Sequence, residues 1–188
     1  MGSSAASAIV FVISSIAQLY LLVLLLRLLL PWLGIPYNNP VAQGILKLTS
    51  PVVIPVRRLL PPVGKIDTAT LLVAFSIQFI TICLIMLILG RKPAVPQAAV
   101  TAAVDLVILG IRLFVFAIII RIVLSWIGGP GGGYNPAIQF IDALTEPVLR
   151  PFRRMIPPIG GIDISPVFAI ILLSALGILV GGFKLLPY

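Results

Sequence analysis

Two adjacent arginine pairs, Arg57-Arg58 and Arg153-Arg154, are the side chains of this sequence best suited to engaging a partner. A guanidinium is planar, permanently charged and presents paired N–H groups that match phosphate or carboxylate oxygens. Both pairs sit in one repeated frame. Thr49 to Asp67 aligns with Thr145 to Asp163 at an offset of 96 residues, with eleven of nineteen positions identical and five more exchanging one apolar residue for another. Orientation in a membrane needs only scattered charge. Two copies in a shared proline frame bring a docking surface for anionic lipid headgroups or an acidic protein partner level with the alternative, that the pairs only set orientation.

Asp67 and Asp163 close the two copies and are the only repeated acidic residues. Each stands just before an apolar run, where a carboxylate caps free helix amides. The alternative role is a cation site at the pseudo-twofold axis.

A second polar set lies inside the apolar runs. Arg112 carries a charge that costs roughly 3 kcal/mol in a membrane. Asp105 precedes it by seven residues, on the same helix face, about 10 Å along the axis. Gln18 holds the place of Arg112 in the first copy, and Gln78 and Ser174 are equivalent to each other. Gln18, Gln78, Asp105 and Arg112 thus form a candidate intramembrane seam. Helix-to-helix hydrogen bonding, with Arg112 snorkelling outwards, accounts for the same residues. The repeated Arg27 and Arg121 each precede a Trp by five residues near a membrane boundary, which suits interfacial anchoring.

Catalysis has little to stand on. The chain has no histidine and one cysteine, Cys83. Its five acidic residues show no metal-ligand spacing. The glycine-rich stretch 128–133 lacks the Gly-Lys-Ser/Thr ending of a phosphate loop. No catalytic, cofactor-binding or metal-binding residue is expected, and the protein reads as a non-enzyme.

The elements that carry these residues follow from composition. The chain is 60% hydrophobic and 10% charged, with a mean hydropathy of +1.22. A soluble domain would be about 25% charged. Four apolar runs are long enough to cross a hydrocarbon core of about 30 Å, and backbone in lipid must be helical. The fold expected is an all-α membrane protein of four transmembrane helices. They form two tandem parallel repeats, each with an amphipathic interfacial or re-entrant helical segment between its two spans.

Repeat 1 covers residues 1–90, with spans over about 8–32 and 70–89 and an interfacial segment over 39–62. Residues 91–104 read as a linker. Repeat 2 covers 105–188, with spans over about 105–127 and 166–186 and an interfacial segment over 135–158, and both halves pack as one domain. The first run lacks a preceding basic residue and is too long for a signal-peptide core, so it is expected to be retained. Asn39-Pro40 and Asn135-Pro136 are helix starts. Pro31, Pro36 and Pro40 should end the first span. Pro51, Pro55, Pro147 and Pro151 should break the interfacial helices into short pieces. Pro61-Pro62 and Pro157-Pro158 should stop them, with Gly64 and Gly160 turning the chain.

An even number of spans per repeat makes both copies enter from the same side. Both basic loops then share a face. Net charge is +8, from 13 Lys+Arg against 5 Asp+Glu. The positive-inside tendency places those loops in the cytoplasm and both termini outside.

The frame residues Pro55, Arg57, Arg58, Pro61, Pro62, Gly64 and Asp67, with their counterparts Pro151, Arg153, Arg154, Pro157, Pro158, Gly160 and Asp163, resemble the YggT family, also called YlmG. The resemblance extends to Arg27-Trp32, Arg121-Trp126, the two Asn-Pro starts, Gln43 and Gln139, and so to nearly the whole chain. Departures are a glycine-rich loop two residues longer than its counterpart and Lys65 where the other copy has Gly161. The resemblance implies a small multi-pass protein of the bacterial inner membrane, with plastid and cyanobacterial relatives. It implies links to osmotic and potassium tolerance, to nucleoid or division-site organisation and to membrane-cytochrome assembly. It carries over no catalytic residue.

The function expected is a membrane scaffold or assembly factor whose partners are anionic lipids and a membrane or cytoplasmic protein. The alternative is an ion conduit contributing to potassium or osmotic homeostasis. Four spans rarely enclose a pore alone, so a conduit implies a homo-oligomer. Nucleic acid is not an expected partner: Phe152 is the one aromatic beside the arginine pairs, and its counterpart in the first copy is Val56, so no repeated aromatic supports base contact.

Overall fold

A computed structural model of the protein describes residues 2–35, 38–92, 94–127, 135–156 and 163–186. Among them are six helices: α1 (Gly2–Leu33), α2 (Pro40–Arg57), α3 (Thr68–Ile88), α4 (Val95–Ile127), α5 (Pro136–Met155) and α6 (Ser165–Gly181). The only β-type pairing among the described residues is one bridge between Val63 and Ile66, turned by Gly64 at a φ of 60°. The expected turn signals at Pro36, Pro157, Pro158 and Gly160, the interface residue Tyr37, Pro93 of the linker and the stretch 128–133 lie outside the described residues.

Among the described residues, three helices are long and apolar enough to cross a membrane, over Ser4–Leu33, Thr68–Ile88 and Val95–Trp126. The fourth apolar helix, α6, has 17 residues, or about 25 Å. Its expected span ran to residue 186. The helix stops earlier because Gly181 and Gly182 are adjacent, and the chain leaves through turn bonds from the Phe183 amide to the Val180 carbonyl and from the Lys184 amide to the Gly181 carbonyl.

Two expectations about proline are corrected. Pro31 lies within the last turn of α1, and the chain turns at Gly34, whose φ is 61°. Helices α2 and α5 run unbroken through Pro51, Pro55, Pro147 and Pro151. A mid-helix proline frees the carbonyl four residues earlier. Each pair of prolines is itself four residues apart, so the disruption stacks on one face. All four prolines are exposed, where freed carbonyls meet water or headgroups rather than the core.

The expected linker is also largely helical, since α4 begins at Val95. Pro96 is tolerated in a first turn, and the alanine-rich stretch after it favours helix at little entropic cost. Ala98 and Ala102 are fully buried and pack with Ile82 and Met86 of α3.

Each half builds its own core. Leu24, Val53 and Val73 join α1, α2 and α3, while Ile118, Leu149 and Ala169 join α4, α5 and α6. A third cluster around Ile45, Ala117, Phe140 and Leu144 ties the halves together. The halves also meet where α3 packs along α4, whereas the described residues of α1 and α6 make no contact.

Candidate functional site

The repeated frame folds into a brace. Arg27 leaves α1 and is almost wholly buried. Its Nη1 donates to Thr49 Oγ1 at 2.7 Å and to Ser50 Oγ at 3.2 Å, both on α2. The Thr49 hydroxyl in turn donates to the Ile45 carbonyl at 2.6 Å. Arg27 Nε lies 3.6 Å from Asp67 Oδ2, and Arg57 Nη2 binds the same oxygen. Asp67 also accepts from the Thr70 amide at 3.3 Å and from the Thr70 hydroxyl at 2.7 Å, which caps α3. One carboxylate therefore fastens all three helices of the first half.

Burial by itself pushes the Asp67 carboxyl up. The hydrogen bonds from Thr70 and Arg57 outweigh it and hold the group below the usual carboxylate value. Asp163 shows the same balance, with burial opposed by Ser165 and Arg153, and its net shift is also downward.

The second half repeats the brace with different acids. Arg121 Nη1 donates to Thr145 Oγ1 at 2.9 Å, and its Nη1 and Nη2 both reach Glu146 Oε2 at 3.2 Å. Its Nε lies 3.0 Å from Asp142 Oδ1. Arg153 spans Glu146 at 2.9 Å and Asp163 at 2.8 Å. Asp163 accepts from the Ser165 amide at 2.9 Å at the start of α6. Asp142 and Glu146 stand where the first half has Leu46 and Ser50, so this brace is richer in charge and more exposed.

The arginine pairs are thereby divided. Arg57 and Arg153 turn inwards to Asp67 and Asp163. The side chains of Arg58 and Arg154, together with that of Arg150, are exposed and make no hydrogen bond or ion pair among the described residues. The residue after each pair is apolar and points outwards: Leu59 is 82% exposed and Met155 is 81% exposed. Lys65, the departure between the copies, sits 5.5 Å from the centre of the Trp32 ring.

Sequence reasoning missed the brace. It treated Arg27 and Arg121 as anchors and gave no role to Thr49 or Thr145. The available signal was that Thr, Arg and Asp recur together in both copies. Asn39 held a second surprise. Its Oδ1 caps α2 by accepting from the Val41 amide at 2.9 Å, as Asn135 caps α5 through the Ala137 amide at 2.9 Å. Its Nδ2 also donates across to the Pro136 carbonyl at 3.0 Å, tying α2 to α5.

The second candidate set converges midway along the long helices, away from the brace. Gln78 donates to Asp105 Oδ2 at 3.0 Å, and Lys184 Nζ lies 2.6 Å from Asp105 Oδ1. These groups share a cavity of about 280 Å³ with Ser14, Gln18 and Arg112. Ser174 faces a neighbouring furrow between α4 and α6. Among the described residues no three of His, Cys, Asp and Glu converge as a metal site requires. Both candidate cation ligands, Asp67 and Asp163, are already taken by arginine.

Comparison with known proteins adds a family. The CCB3/YggT family model matches residues 6–88 and 100–183. An uncharacterized protein of Pseudomonas aeruginosa is 35% identical over 176 residues, covering 93% of this chain and 88% of that protein. The uncharacterized protein YggT of Escherichia coli is 33% identical over 163 residues, covering 87% of this chain and 84% of its own length. The chloroplastic YlmG homolog protein 2 of Arabidopsis thaliana is 39% identical over 59 residues, which is 31% of this chain and 22% of that protein. No solved structure matches the chain.

Proposed function

Given that the chain belongs to the CCB3/YggT family, we propose that it is a non-enzymatic membrane scaffold or assembly factor. It presents the basic interfacial helices α2 and α5 to anionic lipid headgroups or to an acidic partner. The observation that carries this reading is the pairing of Arg58 with Leu59 and of Arg154 with Met155: unpaired guanidinium, then outward apolar side chain, in both halves. Each cation near an anionic leaflet contributes about 1 kcal/mol. Each apolar side chain inserted among acyl chains contributes about 2 kcal/mol more.

The topology that goes with this reading has four spans. Helix α6 completes the second pair, with local thinning of the bilayer compensating its length. The two separate matches of the family model, over 6–88 and 100–183, support tandem repeats. Both basic segments then lie at the cytoplasmic face of a bacterial inner membrane, and both termini lie outside. The resemblance to YggT proteins makes osmotic tolerance and division or nucleoid organisation the phenotypes to examine.

The conduit alternative needs charges available to a permeating ion. Asp105 is engaged by Gln78 and Lys184, which favours the scaffold. Potassium and sodium flux in proteoliposomes separates the two. The scaffold predicts no flux above empty vesicles for the wild-type protein or for Arg112→Gln. Flux that Arg112→Gln alters would overturn it in favour of a conduit.

A further inference from the structure

Arg112 is the unexplained cation of the fold. It lies well inside α4, is exposed, and has no hydrogen bond or ion pair among the described residues. The other arginines of the long helices, Arg27 and Arg121, both hold hydrogen bonds and acidic partners. A bare guanidinium at such a position is costly, so intramembrane charges usually pair or mark a ligand.

Three cavities meet at this residue: an apolar one of about 390 Å³ towards α1 and α5, and two that hold the remaining polar groups. Of these two, the first, of about 280 Å³, is polar: Ser14 and Gln18 of α1, Gln78 of α3, then Asp105, Arg112 and Lys184. Asp105 and Lys184 neutralise each other at 2.6 Å, which leaves one uncompensated positive charge, that of Arg112. The second cavity, of about 600 Å³, is a furrow between α4 and α6 that also includes Arg112 and Lys184. Its lining includes Ile111, Val115, Ile119 and Ile178, with Gly177 and Gly181 of α6, and a side chain added at Gly177 would start 3.6 Å from Ile111.

We propose that this double cavity binds one anionic phospholipid. Its phosphate pairs with Arg112, its headgroup hydroxyls meet Gln18 and Ser14, and an acyl chain lies along the α4–α6 furrow. The chemistry commits the site to a lipid rather than a free anion. A soluble phosphate would satisfy Arg112 but leave the apolar furrow empty, and a neutral lipid would leave the charge unanswered. Neither of the two cavities that make up the site is lined by a residue of α2 or α5, so the proposal is tested independently of the scaffold surface at Arg58 and Arg154.

Native mass spectrometry of the detergent-purified protein, reloaded with phosphatidylglycerol or phosphatidylcholine of matched chains, tests the idea. The wild type should retain one phosphatidylglycerol and release phosphatidylcholine. Arg112→Gln should reduce that retention on the order of tenfold with an unchanged melting temperature, because Arg112 holds no partner in the fold. Gly177→Leu should reduce it as well, because the larger side chain enters the furrow while Arg112 remains. Glycerol phosphate at millimolar concentration should not compete. Arg58→Gln/Arg154→Gln should keep the lipid, whatever it does to docking at the scaffold surface. Equal retention of the two lipids, full retention by Arg112→Gln, or displacement by glycerol phosphate would each overturn the proposal.

Discussion

Replacing Asp67 by Asn keeps one side-chain oxygen at the start of α3, removes the negative charge that Arg27 and Arg57 share, and puts an NH2 donor where the second acceptor oxygen stood. The Arg27 side chain is 4% exposed and that of Asp67 is 5% exposed. Stripping one partner from a buried pair typically costs about 3–5 kcal/mol, because the other charge stays behind. Arg27 retains its bonds to Thr49 and Ser50, so the lower end, about 3 kcal/mol, is expected. For a chain of this size that is a fall of roughly 6–12 °C in melting temperature. Asp163→Asn makes the same chemical change in the second half. There the carboxylate is 38% exposed and Arg153 is 36% exposed. Solvent screening reduces such a pair to about 0.5 kcal/mol, or roughly 1–2 °C. Tryptophan fluorescence during heating of both variants in one detergent measures the contrast. Equal shifts, or a larger shift for Asp163→Asn, would refute the claim that burial at Asp67 is what makes the first brace matter.

Acid should act through the same two carboxylates. Both are held below their ordinary value of 3.8. Their stabilisation is therefore complete above that value and lost as pH falls through the depressed ones. Melting temperature should be level between about pH 5 and 8 and fall below about pH 4, with a shallower acid limb in Asp67→Asn. Asn39→Ala should cost about 1–2 kcal/mol by removing the α2 cap and the tie to α5. Asn39→Asp, which keeps the acceptor and loses the donor, should fall between the two in the same melts.

Local features were legible in the sequence and long-range ones were not. The Asn39 and Asn135 caps depend on contacts two residues away, so the Asn-Pro signal was sufficient. The apolar runs gave three helices of spanning length, because length and hydropathy alone decide that property. The brace depends on Arg27 meeting Thr49, which is 22 residues distant, and no periodicity reports such a meeting. The prolines misled because their effect depends on which face they occupy. On an exposed face, the carbonyls they free are solvated and the helix continues. The alanine-rich start of α4 misled for the opposite reason. Its hydropathy is weak, but its small side chains are what lets α3 pack closely against it. Arg57 and Arg58 look alike in sequence, and only the placement of Asp67 tells them apart.

That difference is the centre of the account, and one comparison tests it most directly. Two double variants, Arg58→Gln/Arg154→Gln and Arg57→Gln/Arg153→Gln, are reconstituted in vesicles containing a photoactivatable anionic lipid. Headgroup crosslinking to α2 and α5 and melting temperature are then read from the same preparations. The account predicts that the first variant loses most crosslinking, roughly 2 kcal/mol of attraction or about thirtyfold, and melts like the wild type. It predicts that the second keeps its crosslinking and melts at a lower temperature. Loss of crosslinking in the second variant without loss in the first would contradict it.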